Sequence, residues 1–207
     1  MGRRNPPRSS APQSPAGKPS QLRIIGGEWR GRKVPFSPLP GLRPTPDRVR
    51  ETLFNWLQPY IAGAHCLDLF SGSGALGLEA LSRGAESVTF VDREPSVVRQ
   101  LRQNFQLLKC NRGEVIQDSV PEWLQGRQAG MEQQYDIVFM DPPFRQGLAA
   151  PCCDWLEEKG LLAAEAMIYV ETESDLTAVM APDHWHLHRD KKAGQVHYQL
   201  YMRNQES

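Results

Sequence analysis

Four consecutive residues, Asp141-Pro142-Pro143-Phe144, close the apolar run Tyr135-Asp136-Ile137-Val138-Phe139-Met140. Proline donates nothing to a sheet ladder and drives the residue before it into an extended conformation, so two in succession end a strand in a stiff loop. In an open α/β sheet such a loop lies at the carboxyl ends of the strands, where ligands bind. It offers a carboxylate, a carbonyl with no helix to join and an aromatic face, the parts needed to grip a planar amino group on a nucleobase. Asp141 and the Pro142 carbonyl accept the two amine hydrogens, Pro143 stiffens the ledge, and Phe144 stacks on a base turned out of its helix. Such an amine is a poor nucleophile because its lone pair is delocalised into the ring. Two acceptors favour a pyramidal nitrogen, and the remainder of the task is alignment.

A second constellation lies upstream. Asp68-Leu69-Phe70-Ser71-Gly72-Ser73-Gly74-Ala75-Leu76-Gly77 leaves one apolar run and opens an amphipathic one. Gly72, Gly74 and Gly77 satisfy GxGxxG, which admits a nicotinamide dinucleotide. Asp68, however, would repel a pyrophosphate and attract a cationic amino group, and the loop has no basic side chain to balance phosphates. An amino-acid-bearing nucleoside fits better, and S-adenosylmethionine answers that description. Asp92, twenty residues beyond Gly72 at the end of the next apolar run, suits ribose hydroxyls. Asp118, after a third run, suits the adenine amino group. Phe70 and Ser71 in the loop, with Arg93 and Ser119 beside the two later acids, complete the expected cofactor set.

These groups need a scaffold. Apolar runs at Cys66–Phe70, Val88–Asp92, Glu114–Gln117, Ile137–Met140 and Met167–Glu171 alternate with amphipathic stretches at Ala75–Arg83, Ser96–Leu108, Pro121–Gln128 and Leu148–Glu158. The alternation predicts a doubly wound α/β fold, a parallel sheet covered on both faces. Trp185–Lys191 and Val196–Arg203, around Ala193-Gly194, read as a closing antiparallel hairpin. Ahead of the main sheet, Leu22-Arg23-Ile24-Ile25 and a tight turn at Gly26–Lys33 into a second strand ending at Pro35 predict an appended β-hairpin. Thr45 is placed as a helix N-cap, Pro46 as the first helical residue and Asp47 at the positive end of the dipole, with Val49, Leu53, Trp56 and Leu57 as the buried face. The expected organisation is a disordered basic, proline-rich tail over 1–21, a hairpin extension over 22–41 and the main domain over 42–207.

The 24 basic and 24 acidic residues cancel, but not locally: the first fifty residues hold eleven lysines and arginines against Glu28 and Asp47, so they carry +9 and the rest −9. A basic arm on an acidic body points to a polyanionic partner. Arg30, Arg32, Lys33, Arg43, Arg48 and Arg50, interleaved with Trp29, glycine and proline, are expected to form a nucleic-acid face. No apolar run reaches membrane length, and the amino terminus lacks the apolar core of a secretory signal. Cys66, Cys110, Cys152 and Cys153 lack metal-ligand spacing and read as reduced thiols of a cytoplasmic protein. His184, His186, His188 and His197 are expected to be solvated or paired, and no metal is expected.

Asp68-x-Phe70-x-Gly72-x-Gly74 with a later Asp-Pro-Pro-Phe resembles the class I S-adenosylmethionine-dependent methyltransferases. Arg23-Ile24-Ile25-Gly26-Gly27-x-Trp29-Arg30-Gly31-Arg32 and Leu42-Arg43-Pro44-Thr45-x-Asp47-Arg48-Val49-Arg50-Glu51-Thr52-Leu53-Phe54-Asn55 resemble, more narrowly, the RsmD family of bacterial small-subunit ribosomal RNA guanine-N2 methyltransferases. The resemblance runs from about residue 22 to 203. It implies a Rossmann-like sheet of seven strands with the last antiparallel, and methyl transfer from S-adenosylmethionine to the exocyclic N2 amine of one guanine in 16S ribosomal RNA. The substrate would be the assembled or assembling small subunit and the enzyme a monomer. By position, Asp68, Gly72 and Gly74 would hold the methionine part of the cofactor, Asp92 the ribose and Asp118 the adenine. Asp141 to Phe144 would hold the base, and Arg43 to Arg50, Thr45 included, would lie near cofactor and RNA. Two rivals stay open on the residues alone: methylation of an adenine or cytosine amine in DNA or another RNA, and a non-catalytic RNA-binding assembly factor.

Overall fold

Continuous apolar runs can be strands only where both sheet faces are covered, and the amphipathic segments between them supply the cover. The computed structural model describes residues 20–37, 44–130, 133–175 and 181–204. In chain order the elements are β1 (Ser20–Arg23), β2 (Lys33–Phe36), α1 (Asp47–Trp56), β3 (His65–Leu69), α2 (Ala75–Ser82), β4 (Ser87–Asp92), α3 (Pro95–Leu108), β5 (Gly113–Gln117), α4 (Val120–Gln125), β6 (Tyr135–Met140), α5 (Ala149–Glu158), β7 (Leu162–Glu173), β8 (Trp185–Ala193) and β9 (Val196–Arg203). β1 and β2 form a separate antiparallel ribbon, and the other seven strands form one sheet in the order β5-β4-β3-β6-β7-β9-β8. β3 to β7 are parallel, and β9 runs antiparallel to both its neighbours, β7 and β8.

The order reverses at β3, which has β4 on one side and β6 on the other, and a ligand crevice opens at such a switch point. Successive residues of a strand face opposite ways. Cys66 therefore packs with Leu53, Phe54, Leu78 and Phe90 on one face, whereas Leu67 and Leu69 pack with Val138, Trp123 and Leu156 on the other. Asp68 shares the first face, the one that α1, α2 and α3 cover.

The amino-terminal segment departs from expectation in two places. Gly26–Lys33 turns the chain as expected, with Arg30 N donating to the Gly27 carbonyl and Arg32 N to the Trp29 carbonyl, but the strand before it ends earlier than expected and the turn is fastened to α2. β1 ends at Arg23, because the amides of Ile25 and Gly26 leave the ribbon to donate to the Glu79 carboxylate on α2, at 2.9 and 2.7 Å. The chain then lies along the end of α2: Glu28 N donates to the Ser82 carbonyl, Trp29 N to the Ser82 hydroxyl, and that hydroxyl to the Gly26 carbonyl. Trp29 is buried by the same docking. Second, Thr45 does not cap α1. Pro46 holds the N-cap position with no side-chain hydrogen bond, and the Thr45 hydroxyl is spent on Glu171 instead. Ser20 and Gln21, placed in the tail by sequence, belong to β1; residues 1–19 and Arg43 lie outside the described residues.

Gly27 is the tightest point of this docking. Its φ is +73°, and a Cβ there would stand 1.8 Å from the Ser82 carbonyl oxygen, a backbone atom that cannot swing away. Gly27→Ala is expected to cost about 1–3 kcal/mol from the backbone conformation alone, and more from the clash. A melting temperature equal to that of the wild type would show that the loop is not seated on α2.

Candidate active site

β3 and β6 are parallel neighbours with Leu69 opposite Met140, so the Phe70–Gly74 loop and the Asp141–Phe144 ledge leave the same edge of the sheet side by side. The loop is held by its own backbone and by two of the expected acids. Ser71 Oγ donates to the Asp68 carbonyl at 2.7 Å, and Gly74 N to the Ser71 carbonyl at 2.7 Å. Phe70 is held at φ +61°, a left-handed conformation in which a bulky residue is strained. Gly77 N donates to Asp68 Oδ2 at 2.9 Å, and a Cβ on Gly77 would meet that oxygen and the Phe90 ring, so this position admits only glycine. Asp92 accepts from Gly72 N at 2.8 Å and from Glu94 N at 2.9 Å. A carboxylate has about four acceptor sites, which leaves Asp92 room for two hydroxyls.

Three carboxyls converge beside this loop. Burial pushes the Asp68 carboxyl well above the usual carboxylate range; the Gly77 amide opposes that, and the Asp92 charge adds to it. Asp141, half-buried by its own surface exposure, is likewise held above its ordinary value, by desolvation first and then by the charges of Glu171 and Asp68. Among the described residues no donor is bonded to its carboxyl. Glu171, two residues before the end of β7, is also raised by burial, although Tyr169 and Thr45 donate to it. A concentration of carboxyls reluctant to ionise is an environment that a cationic ligand relieves.

On the ledge, Pro142 is buried, Pro143 exposed, and Phe144 42% exposed, a large aromatic left open to solvent. Directly after it Arg145 has φ +61° and donates its amide to Glu173. Asp118 is exposed and accepts from Ser119 N, and the Ser119 hydroxyl caps α4 by accepting from Glu122 N. Asp118 N donates to the Asp92 carbonyl, which keeps these two acids on adjacent strand ends. Arg93 is exposed and reaches Glu94 at 3.3 Å.

The expected nucleic-acid residues divide. Arg30, Arg32, Lys33 and Arg48 are exposed, with Arg32 Nη2 donating to the Leu107 carbonyl. Arg50 is not on that face. It is 1% exposed beneath β1, where Nη2 donates to the Arg23 carbonyl at 2.8 Å and to Asp47 Oδ1 at 2.6 Å. Thr45 is buried as well. Helix periodicity shows that Arg50 lies one turn from Leu53 and Phe54; it does not show that a separate ribbon covers that turn.

Sequence reasoning passed over Glu171. The signal was present: Met167-Ile168-Tyr169-Val170-Glu171 is an apolar strand closed by an acid, the pattern that singled out Asp68, Asp92 and Asp141. Elsewhere, a recess of about 300 Å³ lined by Tyr60, Asp136, Glu165 and Met167 lies at the amino-terminal edge of the sheet, away from all these groups. Among the described residues no three metal-ligating side chains gather, and no helix is long and apolar enough to cross a membrane.

Residues 22–202 match the family model described as Conserved hypothetical protein 95. The chain is 52% identical over 183 residues to ribosomal RNA small subunit methyltransferase D of Escherichia coli (strain K12), covering 88% of this chain and 90% of that protein. It is 48% identical over 191 residues to the protein of the same name from Haemophilus influenzae, covering 91% and 97%. Among solved structures, yhhF from Escherichia coli superposes with a TM-score of 0.81 at 51% identity, over 90% of this chain and all of that one. HI0767 from Haemophilus influenzae gives 0.79 at 45%, again over 90% of this chain.

Proposed function

The chain belongs to the Conserved hypothetical protein 95 family, that of the RsmD methyltransferases, and from that footing we propose that it transfers a methyl group from S-adenosylmethionine to the N2 amine of one guanine in 16S ribosomal RNA. The observation that carries the reading is the adjacency of the Asp141–Phe144 ledge to the glycine loop across the β3–β6 pair. Bound S-adenosylmethionine supplies a methyl group on a positively charged sulfur. The residues fit it: the Gly77 position leaves no room for a side chain beside Asp68, the crowded carboxyls favour a cation, and Asp92 keeps free acceptor sites near the loop.

In this reading Asp68 and the Gly72–Gly74 backbone hold the methionine portion, Asp92 the ribose and Asp118 the adenine, with Phe70, Ser71, Arg93 and Ser119 lining the same edge. Asp141 and the Pro142 carbonyl accept the two amine hydrogens of an extruded guanine, and Phe144 stacks on its ring. Flipping the base costs a few kcal/mol, which stacking and the two hydrogen bonds offset. Asp141 then takes the proton that the methylated nitrogen sheds. Arg30, Arg32, Lys33 and Arg48 meet the phosphates of RNA in the assembled or assembling small subunit, and the enzyme acts as a monomer.

The direct test is mass-spectrometric nucleoside mapping of ribosomal RNA from a strain lacking this protein. Loss of one N2-methylguanosine, restored by the purified protein, is expected; an unaltered 16S profile would overturn the assignment. Arg48→Glu is expected to weaken RNA binding and to lower the slope of log affinity against log salt by about one unit. A slope equal to that of the wild type, from filter binding across a salt series, would remove this arginine from the interface.

A further inference from the structure

Glu171 occupies a place that the proposed reaction leaves unassigned. Phe139 pairs with Tyr169 and Met140 with Val170; Asp141, the first residue past β6, therefore follows on beside Glu171, which lies inside β7 opposite Tyr198 of β9 and whose charge acts on Asp141. Glu171 is 3% exposed, and two hydroxyls from different elements converge on its Oε1: Thr45 Oγ1, ahead of α1, at 3.0 Å and Tyr169, on β7, at 2.8 Å. Isolated buried carboxylates are rare, and this one has hydroxyl donors but no described cation bonded to it. Its surroundings are themselves acidic or neutral: Asp141 on the ledge, Asp68 on β3, Tyr169 on its own strand, Tyr198 on β9 and Thr45.

We propose that Glu171 is a positioning residue for Asp141, the two neighbouring carboxyls holding one proton between them that departs to solvent when a cationic ligand enters the glycine-loop pocket. The proposal rests on the cofactor reading above. Its physical basis is that two like charges in one desolvated site do not both ionise readily, so the pair titrates as a unit. The donors from Thr45 and Tyr169 favour charge on Glu171, which leaves the proton on Asp141. A neutral Asp141 is a poor acceptor for an amine. Loss of the proton on cofactor binding therefore makes the base grip conditional on a loaded pocket. The sign of the pH dependence follows. Acids whose proton affinity is raised by folding contribute stability that is complete below their unfolded values and is lost as pH rises through the raised ones. A cation bound among them must shed their proton, so its affinity rises with pH over that interval.

The test is calorimetric titration of the full-length protein with S-adenosylmethionine, in two buffers of different ionisation enthalpy, at several pH values between about 5 and 7. The dependence of the heat on the buffer counts protons released. The wild type is expected to release up to about one proton, and fewer with S-adenosylhomocysteine, whose sulfur is uncharged. Glu171→Gln keeps the shape and an acceptor for both hydroxyls but removes the shared charge; release is expected to fall by about half or more, with affinity near neutral pH within about threefold. Tyr169→Phe leaves both carboxyls in place and is expected to release as many protons, over a shifted pH interval. That second variant tests the pair even if Glu171→Gln folds poorly. Equal release by wild type and Glu171→Gln, or no release by the wild type, overturns the inference while the cofactor reading stands. Failure of the wild type to bind S-adenosylmethionine overturns both.

Discussion

Asp141→Ala is expected to slow methyl transfer by roughly 10²–10³-fold while changing S-adenosylmethionine affinity by less than about threefold, the size of effect seen when one preorganised polar group is removed from a reacting centre. The separation of the two effects follows from where the residue stands. The glycine loop is fastened by its own backbone, by the Asp68 carbonyl and by the Asp92 carboxylate, none of which involves Asp141. Removing Asp141 also removes one of three mutually repelling carboxyls, which works against tight binding of a cation only modestly. The loss falls on the amine, which keeps the Pro142 carbonyl as its single acceptor and is no longer held pyramidal. Asp141→Asn is a sharper probe: the amide oxygen can still accept, but its NH₂ opposes a guanine edge that carries hydrogens on both N1 and N2. It too is expected to be impaired, by less than alanine. Transfer of tritiated methyl to small subunits from a strain lacking the protein, alongside calorimetric titration, measures both quantities. Full activity of Asp141→Ala would remove the ledge from the chemistry.

The parts of this protein that depend on local sequence were legible, and those that depend on who lies opposite were not. Five apolar runs became β3 to β7; in the central strands β3 and β6, burial on both faces leaves its mark on nearly every residue, whereas the edge strand β5 buries only Val115. β7 extends further in both directions than Met167–Glu171, since its ends are paired with β6 and β9, partners remote in sequence. The acids at strand ends could be found because each interrupts an apolar run. Asp92 could not be seen to support the glycine loop, a contact that closes only when β4 lies beside β3. Arg50 shows the limit most clearly. Its helical position is compatible with either a solvated face or a buried one, and only the ribbon laid over α1 decides. Glycines at 26 and 27 show the turn but not its seat: Gly27 admits the Ser82 carbonyl and Gly26 the Arg83 guanidinium, both contributed by the far end of α2.

Glu79→Ala is expected to be the most destabilising single substitution among the polar positions discussed, by about 3–5 kcal/mol, because it removes one of the two carboxylates beside the buried Arg50 and the acceptor of two half-buried amides at once. Glu79 is fully buried on α2 and receives Ile25 N, Gly26 N and Arg83 Nε, the last at 2.7 Å. Arg50 Nη1 stands 3.6 Å from its other oxygen, an ionic contact beyond hydrogen-bond length, and Arg50 Nε has no hydrogen-bond partner among the described residues. The arginine is thus already short of acceptors, and Glu79 shares with Asp47 the charge that makes its burial tolerable. For a chain of this length the loss corresponds to a melting temperature lower by roughly 6–20 °C. A buried ion pair can often be exchanged for apolar residues at little cost, so Glu79→Leu combined with Arg50→Met tests which part of the network matters. If the pair alone were responsible, the double variant would recover most of the stability. It is expected not to, since leucine leaves the half-buried Ile25 and Gly26 amides without their acceptor. Hydrogen exchange at those two amides reads the difference directly: rapid exchange in an otherwise folded double variant means the loop bearing Arg30 and Arg32 has left α2. RNA affinity should then fall with cofactor affinity unchanged, because the glycine loop sits at the opposite end of that helix. Recovery of the wild-type melting temperature by the double variant would show instead that Glu79 serves only Arg50, and that the ribbon is held by other contacts.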